Sequence, residues 1–290
     1  MIKKIFFILL TLILLTACYR KIKIPLPHYE SELFIVGLVE PDSVAQISLS
    51  RTIPLSERST DYTVNDARVI LYEDESAVDT LKQNLSTPYL YTGTYPVNDH
   101  SEYKLRVSHN HLNAEGVARI PSAPDVEIKS VSQEEVITEE NITNAVKIKI
   151  IIHDPPQTEN YYAMRVMKKG GPEESQLYWI YTSLNDPAVM NEGIRFSDYI
   201  VFSDIIFDGK DYTMTLYFDL PGELLPGEYL EFKICALERH AYLWMRYQPN
   251  SSGLEGPFAG ETSQIPDNIK DGLGVFAAKN AVILPYHFSN

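Results

Sequence analysis

Alternation of apolar and polar residues is the feature of this chain that most restricts its fold. In Ala45–Ser50 and in Tyr103–Ser108 every second residue is apolar, and the residues between them are polar or charged. A period of two residues is typical of half-buried antiparallel strands. Similar segments recur along the chain, separated by turn residues. The sequence therefore predicts an all-β protein, and its short strands favour β-sandwiches over a βαβ fold.

A proline-rich break divides this pattern. Residues 120–124 read Ile-Pro-Ser-Ala-Pro, and a second series of strands follows them. Proline and small residues are frequent where one domain ends and another begins. We therefore expect two β-sandwich domains of the immunoglobulin or fibronectin type in series, spanning 31–121 and 125–290.

One stretch near the end of the chain departs from the alternation. Leu237, Ala241, Trp244 and Met245 are spaced as on one face of a helix. This spacing predicts one short helix near 238–247 in the C-terminal domain, with Trp244 in the core. The segment 249–266 contains three prolines and three glycines, and it predicts a long surface loop.

The first residues have the pattern of a bacterial lipoprotein signal. A short basic start is followed by the apolar run Ile5–Ala17, which is too short to span a bilayer core of about 30 Å. The run ends in Leu-Thr-Ala-Cys, which predicts removal of residues 1–17 and lipidation of Cys18. Several acyl chains, palmitate among them, would anchor the protein almost permanently. Residues 18–30 contain Pro25 and Pro27 and predict an extended tether.

Composition excludes several classes of function. The 290 residues carry a formal net charge of −14, whereas nucleic-acid binding needs a basic surface. The acidic balance also disfavours electrostatic docking on anionic lipid. There are two cysteines. If Cys18 carries lipid, Cys235 has no disulfide partner, and its strand-like neighbourhood predicts a buried structural thiol.

Three groups of residues are candidate sites, and each has a structural alternative. Tyr178, Trp179 and Tyr181 form an aromatic cluster that would suit sugar or peptide contacts, although their pattern favours a sandwich core. His109 and His111 lie close together, but zinc would need further ligands, which favours an exposed polar turn.

The third group consists of aspartates around Asp208-Gly209. Asp204, Asp208 and Asp211, with Asp198 before them, could bind a cation such as calcium. An Asp-Gly pair between apolar runs is also a strong hairpin signal. The sequence favours a hairpin turn here and leaves a cation site as the alternative.

No catalytic motif is recognisable in the sequence, since HExxH, a Gly-rich phosphate loop and Gly-x-Ser-x-Gly are all missing. We therefore expect no catalytic residues, no metal and no cofactor. The leading hypothesis is a non-catalytic accessory or ligand-binding lipoprotein. The alternatives are a structural or adhesive envelope protein of immunoglobulin-like modules and, ranked third, an enzyme that cleaves glycans or peptides.

Five motifs in their order along the chain resemble a known family, the Bacteroidota lipoproteins grouped as domain of unknown function 4249. They are Leu33-Phe-Ile-Val-Gly-Leu-Val-Glu-Pro41, Ile47-Ser-Leu-Ser-Arg-Thr52, Asn65-Asp-Ala-Arg-Val69, Tyr103-Lys-Leu-Arg-Val107 and Asn268-Ile-Lys-Asp-Gly-Leu-Gly-Val-Phe276. The resemblance would cover the chain from about Glu32 to its end. In that family a glycine often occupies the place of Asp271.

The resemblance implies a location and a partner but no catalytic residue. It implies an outer-membrane lipoprotein, often encoded beside a TonB-dependent receptor that would be its partner. Surface-exported lipoproteins of this group commonly carry acidic residues after the lipidated cysteine, whereas Cys18 is followed here by Tyr-Arg-Lys. The periplasmic and the cell-surface side of the outer membrane therefore both remain open.

Overall fold

The computed structural model of the chain describes residues 30–54, 61–137, 142–171, 174–180, 182–192, 194–220, 222, 224–247 and 266–288. The strands in the first part of the chain are β1 (Leu33–Val39), β2 (Val44–Arg51), β3 (Arg68–Glu73), β4 (Ser76–Gln83), β5 (Leu90–Pro96), β6 (Glu102–His109) and β7 (Leu112–Arg119). Those that follow are β8 (Val126–Ile137), β9 (Ile142–His153), β10 (Tyr161–Lys169), β11 (Ser175–Leu177), β12 (Ile194–Phe196), β13 (Tyr199–Ser203), β14 (Asp211–Asp219), β15 (Tyr229–Leu237), β16 (Ile269–Lys270) and β17 (Leu273–Tyr286). The helices are α1 (Pro187–Glu192) and α2 (Arg239–Tyr247).

One long strand, β17, connects the two ends of a large sheet. Its first half runs parallel to β1, with Phe34 opposite Leu273 and Val39 opposite Ala278. Its second half runs antiparallel to β15, from Lys279 onward. The result is a 14-stranded sheet in the order β12-β13-β10-β15-β17-β1-β2-β5-β4-β3-β6-β7-β16, with β11 paired to β10.

The N-terminal core is enclosed by strands β1 to β7 together with β16 and the first half of β17. Its buried side chains come from every second residue of these strands, as Leu33, Ile35, Tyr103 and Leu105 illustrate. Phe276 of β17 belongs to the same core, and an added Cβ at Gly116 of β7 would lie 2.7 Å from its Cβ. The sheet is therefore strongly curved, so that β7 packs against β17.

The C-terminal core lies between the other end of the large sheet and a second, three-stranded sheet. That smaller sheet has the order β14-β9-β8, and its long central strand buries Val146, Ile148, Ile150 and Ile152. These side chains pack with residues from β10, β13 and β15 of the large sheet. Every second residue of this strand from Val146 to Ile152 thus faces the core.

Helix α2 covers the opposite face of the large sheet where the two halves of the chain meet. Its buried residues Ala241, Tyr242 and Met245 pack with Val275 and Ala277 of β17. Beside this cluster Glu40 forms ion pairs with Lys233 and Lys279, and all three side chains are largely buried. Strands from both halves are therefore joined by packing and by charge.

The predicted all-β class is confirmed, since strands dominate and the described residues contain only two helices. The predicted helix near 238–247 is present as α2. The expectation of a single helix was wrong, because α1 is also present. Asp186 precedes α1, and its Oδ1 accepts a hydrogen bond of 2.9 Å from the backbone N–H of Ala188, as an N-cap residue does. With six residues, α1 is too short for a helical spacing of apolar residues to be recognisable in the sequence.

Other predictions about segments have different outcomes. The signal peptide 1–17, the lipidated Cys18 and nearly all of the tether 18–30 lie outside the described residues, as does the loop 249–266 apart from its last residue. The predicted division near 121–125 separates β7 from β8. Strand β16 and the first half of β17, by contrast, lie in the N-terminal core. No helix of the described chain is long and apolar enough to cross a membrane.

Candidate functional site

Two loops that follow buried strands come together at one end of the C-terminal core. The first loop, 154–160, follows β9, and the second, 204–210, follows β13. Asp154 accepts a hydrogen bond of 2.6 Å from the Tyr162 hydroxyl and one of 2.8 Å from the backbone N–H of Gly209. Asp204 accepts one of 2.7 Å from the backbone N–H of Asn160. The two aspartates therefore tie the loops to each other and to the core.

A glycine makes this close approach of the loops feasible. Gly209 has a φ of 70°, and an added Cβ there would lie 2.9 Å from the Cβ of Pro156. The Asp208-Gly209 pair thus forms a turn, but the predicted hairpin is wrong. Strands β13 and β14 on either side of the turn do not pair, because β13 pairs with β10 and β12 while β14 pairs with β9. The turn instead carries the chain from the large sheet to the small one.

The acidic residues of this region separate into different environments. Asp211 forms an ion pair with His153 at 2.7 Å, and Asp198 forms one with Arg165 at 3.1 Å. The remaining two, Asp204 and Asp208, meet Asp154, which the sequence analysis did not single out. Among the described residues, these three form the one group of at least three acidic, His or Cys side chains near enough to share an ion, with ligand atoms within 4.8 Å of one another.

The electrostatics of the carboxylate group are unfavourable without a cation. Burial raises the pKa of Asp204, and the neighbouring Asp154 and Asp208 raise it further, although the hydrogen bonds from Asn160 act in the opposite direction. A hard cation such as Ca²⁺ would accept carboxylate oxygens of this kind. The hydrogen bonds to Asp154 and Asp204 nevertheless account for both side chains as parts of the loop structure.

A cavity of about 640 Å³ lies beside these loops, between them and helix α2. We call it cavity A. Residues of the first loop, of the second loop and of α2 surround it. The lining residues are Gln157, Thr158, Glu159, Tyr161, Ser203, Asp204, Ile205, Asp208, Tyr242, Leu243, Arg246 and Tyr247. Its volume is in the range of small-molecule sites in proteins.

Tyrosine and arginine form one wall of cavity A. The rings of Tyr161 and Tyr242 stack with centroids 4.3 Å apart. The guanidinium of Arg246 lies 5.7 Å from the Tyr242 ring centroid, and its Nη1 donates a hydrogen bond of 2.8 Å to the Tyr242 hydroxyl. Burial and the neighbouring Glu159 carboxylate, which accepts a hydrogen bond from the Tyr161 hydroxyl, raise the pKa of Tyr161 to about 12, so that the hydroxyl stays protonated at neutral pH.

A second cavity of about 600 Å³, cavity B, lies on the other side of the loop 154–160. Its wall includes the whole junction 119–125, residues 158–162 and residues 236–239, where β15 leads into helix α2. Thr158, Glu159 and Tyr161 line both cavities. We refer to the two adjoining cavities together as the groove. It runs from the helix α2 side of the C-terminal core to the junction between the two halves.

Glu238 illustrates how cavity B is built. Its Oε2 accepts a hydrogen bond of 3.0 Å from the backbone N–H of Ala278, and its Oε1 lies 3.3 Å from Nδ1 of His240. Burial raises the pKa of Glu238, and the contact with His240 offsets part of this rise. The carboxylate thus ties the start of α2 to β17.

The structure places the aromatic residues predicted from the sequence away from the groove. Tyr178 is 48% exposed, whereas Trp179 is partly buried against the C-terminal core and bridges to Phe218 of β14. Tyr181 lies outside the described residues. Neither Tyr178 nor Trp179 lines cavity A or B. Their role in binding stays a prediction without support from the cavities.

The other candidates have structural explanations. Asn110 and His111 form the two-residue turn between β6 and β7. His111 is exposed there. Cys235 is fully buried, and this burial raises the pKa of its thiol to about 11, as expected of a structural cysteine. Trp244 packs partly buried against Phe34, with ring centroids 6.3 Å apart.

Sequence reasoning missed the groove because its walls converge only in the fold. Tyr161 and Tyr242 are far apart in sequence, and each lies in a segment that reads as ordinary strand or helix. The one local signal was the Asp-Pro-Pro at 154–156, a loop beginning with a carboxylate directly after a buried strand. Loops at strand ends are frequent places for binding residues.

Comparison with known proteins identifies the family. The family model described as Domain of unknown function (DUF4249) matches residues 19–282. The chain belongs to this family. The resemblance inferred from the five sequence motifs is therefore confirmed. No curated protein matches the sequence.

Among solved structures, the DUF4249 chain is similar to the crystal structure of a DUF4785 family protein from Legionella pneumophila. The sequences are 11% identical, and the match covers 70% of this chain and 52% of that chain with a TM-score of 0.24. The chain thus spans about half the length of that protein.

Proposed function

We propose that this DUF4249 protein is an outer-membrane lipoprotein that binds a ligand in the groove and works with a TonB-dependent transporter, without catalysing a reaction. The observation that carries the binding proposal is the pair of adjoining cavities with tyrosine, carboxylate and arginine side chains in their walls. Ligand sites are frequently concave and lie where domains meet. The Leu-Thr-Ala-Cys sequence ending at Cys18 supports the anchor.

The proposal includes the finer architecture. We take the N-terminal and C-terminal cores to be two β-sandwich modules in series, with the groove extending from the second module to their junction. The loops 154–160 and 204–210 would then present the binding residues at one end of a rigid module. Sandwich proteins commonly carry binding residues on such end loops.

Blocking cavity A tests ligand binding. Ile205 lines the cavity and is 66% exposed, so Ile205→Trp should fill the cavity without disturbing the core. Leu85→Trp is the matched control, since Leu85 is 95% exposed and lies between β4 and β5. The probe is the low-molecular-weight fraction of a rich growth medium. It should raise the melting temperature of the wild type and of Leu85→Trp but not of Ile205→Trp. Equal responses of all three proteins would reject the groove as a binding site.

The anchor and the partner need separate experiments. Labelled palmitate should be incorporated into the wild type and not into Cys18→Ala, which should also leave the membrane fraction. Purification of the anchored protein in mild detergent after chemical cross-linking should yield a TonB-dependent receptor. Recovery of the protein without any envelope partner under several conditions would count against the transporter proposal but not against ligand binding.

A structural role is the second candidate, and the continuous 14-stranded sheet favours it. A strand shared by both halves makes a stiff body suited to a spacer or scaffold. This candidate predicts that Ile205→Trp leaves every phenotype of the cell unchanged while loss of the whole protein weakens the envelope. Sensitivity of the two strains to detergent distinguishes the candidates.

An enzyme that cleaves glycans or peptides is the third candidate. The raised pKa of Asp204 beside two other carboxylates is an arrangement that acid–base catalysts use. Mass spectrometry of a peptide and oligosaccharide panel after incubation with the protein would reveal cleavage products. If the wild type forms cleavage products and Asp204→Asn does not, the protein is an enzyme and the non-catalytic proposal is wrong.

A further inference from the structure

The two parts of the groove differ in the charged side chains that remain open to a ligand. In cavity A the carboxylates of Asp204 and Asp208 lie close together. The one arginine of this lining, Arg246, is engaged with Tyr242 through its ring and hydroxyl. Cavity A therefore offers negative charge to a ligand.

Cavity B contributes two exposed arginines, Arg119 and Arg239. Arg119 contacts Glu102 at 3.4 Å, and both of those side chains are well exposed, so that water screens the pair. Arg239 interacts with the Tyr161 hydroxyl at the wall shared by the two cavities.

The acidic side chains of cavity B are Asp125, Glu159 and Glu238, and each interacts with a neighbouring side chain. Glu159 accepts a hydrogen bond of 2.6 Å from the Tyr161 hydroxyl. Asp125 interacts electrostatically with His153. The pKa of His153 is raised mainly by its hydrogen bond to Asp211 and to a smaller extent by the charge of Asp125. The carboxylate of Glu238 is occupied by the backbone of β17 and by His240. Arg119 and Arg239 are the exposed arginines of cavity B that an anionic group can reach.

The aromatic side chains of the groove offer little open ring surface. Tyr161 and Tyr242 cover each other, and Arg246 lies over the Tyr242 ring. Of the tyrosines that line cavity A, only Tyr247 is well exposed, at 46%. A sugar that stacks on aromatic rings needs such a face, whereas a peptide main chain is recognised by charge and hydrogen bonds.

We propose that the groove binds short, unmodified peptides in an extended conformation, with the N-terminal ammonium at Asp204 and Asp208 and the C-terminal carboxylate at Arg119 and Arg239. This inference rests on the proposed ligand-binding function and specifies its ligand class. Charge-assisted hydrogen bonds to both ends would select free peptides over long chains. Arginine suits the carboxylate end because its planar guanidinium can bind both carboxylate oxygens.

Native mass spectrometry of the wild-type protein with a size-fractionated casein hydrolysate tests the proposal. The probe contains tripeptides to octapeptides, either free, acetylated at the N-terminus or amidated at the C-terminus. The free peptides should be retained, and each blocking group should lower the affinity about tenfold, the effect of losing one favourable charge contact. Sequencing the retained peptides gives their length.

Variants assign the two ends. Asp208→Asn should abolish the preference for a free N-terminus while keeping that for a free C-terminus. The double variant Arg119→Gln with Arg239→Gln should abolish the preference for a free C-terminus and keep that for a free N-terminus. All three residues are exposed, so the fold should persist, which circular dichroism checks. Arg68→Gln, on the exposed face of β3, is the control and should change neither preference.

Three outcomes would overturn the peptide proposal. One is equal retention of free and blocked peptides by the wild type. Another is that the wild type retains maltohexaose or another oligosaccharide but no peptide, and that Ile205→Trp does not retain the oligosaccharide. That result would still support ligand binding in the groove. The last is retention of neither class at concentrations at which the growth-medium fraction stabilises the wild type.

Discussion

A single carboxylate organises one corner of the N-terminal core. Glu73, at the end of β3, accepts hydrogen bonds from the hydroxyls of Tyr95 at 2.6 Å, Ser101 at 2.8 Å and Tyr103 at 2.9 Å. Asn98 adds a fourth at 2.8 Å. Burial opposes ionisation of Glu73, but the four hydrogen bonds outweigh it and lower its pKa to about 2. The ionised carboxylate therefore stabilises the fold.

We predict that Glu73→Gln lowers the free energy of unfolding by about 2 kcal/mol at pH 7, a figure reduced from the full pKa shift because the side chain is partly exposed. The folded pKa lies below the ordinary value of 4.5. The stabilisation is thus complete above pH 4.5 and is lost as the pH falls towards 2. Urea denaturation of both proteins between pH 3 and pH 7 measures the difference, which should shrink on acidification. Glu102→Gln, at an exposed carboxylate nearby, should give a smaller change at pH 7.

The pKa of Asp204 is shifted in the opposite direction to that of Glu73, because it is raised. Its raised pKa means that the folded state holds this proton more tightly than the unfolded state does. The contribution of Asp204 to stability is therefore greatest below pH 3.8 and is lost as the pH rises through the folded pKa. Asp204→Asn keeps an oxygen that accepts the Asn160 N–H and removes the charge. We expect it to stabilise the protein at pH 7 by about 0.5–2 kcal/mol in EDTA, and by less at pH 4. Asp198→Asn, which breaks the ion pair with Arg165, should destabilise it instead.

The same residues indicate how much of the site could be predicted from the sequence. The aspartates near Asp208 were recognisable as a cluster, but their separation into an ion pair at Asp211 and a carboxylate group with Asp154 depends on which strands pair. Tyr178 and Trp179 were prominent because aromatic residues are adjacent in sequence there. The groove tyrosines come from β10 and α2, and only the sheet order brings them together.

At the scale of elements, strands were predictable and their neighbours were not. The alternation in Ala45–Ser50 and Tyr103–Ser108 corresponds to β2 and β6, because burial on one face of a sheet imposes that period. The pairing of β1 with β17 joins residues such as Phe34 and Leu273. No local pattern reports a contact over such a sequence distance, since each strand satisfies the same alternation with any partner.

The entry into β17 depends on a glycine. Gly274 has a φ of 113°, and an added Cβ would lie 2.0 Å from the carbonyl oxygen of Ile35 in β1. Gly274→Ala should therefore lower the free energy of unfolding by about 3 kcal/mol, from backbone strain and loss of the β1–β17 contact. Gly227→Ala is the matched control, because φ is 92° there and no atom lies within 4 Å of the added Cβ. It should cost about 1 kcal/mol. Equal losses in chemical denaturation would mean that the contact with Ile35 contributes nothing.

For the whole molecule, the shared strand β17 determines how the chain unfolds. Phe276 and Ala278 are fully buried in the N-terminal core, while Val282 and Leu284 of the same strand pack against the C-terminal core. The ion pairs of Glu40 with Lys233 and Lys279 join the same two halves. We therefore expect a single cooperative unfolding transition, although the sequence suggests two domains.

Cutting the chain tests this coupling. A protein comprising residues 31–121 lacks β16 and β17, so it exposes an edge of β1 and loses Phe276, whose removal from a core costs about 3–5 kcal/mol. Since that is a large part of the 5–15 kcal/mol that stabilises a typical domain, residues 31–121 alone should show no cooperative melting. Joining residues 266–278 to their end through a flexible glycine–serine linker should restore it, whereas the same linker with a scrambled 266–278 sequence should not. Circular dichroism against temperature measures all three proteins. Cooperative melting of 31–121 alone, near the temperature of the full chain, would show that the N-terminal core is complete without β17.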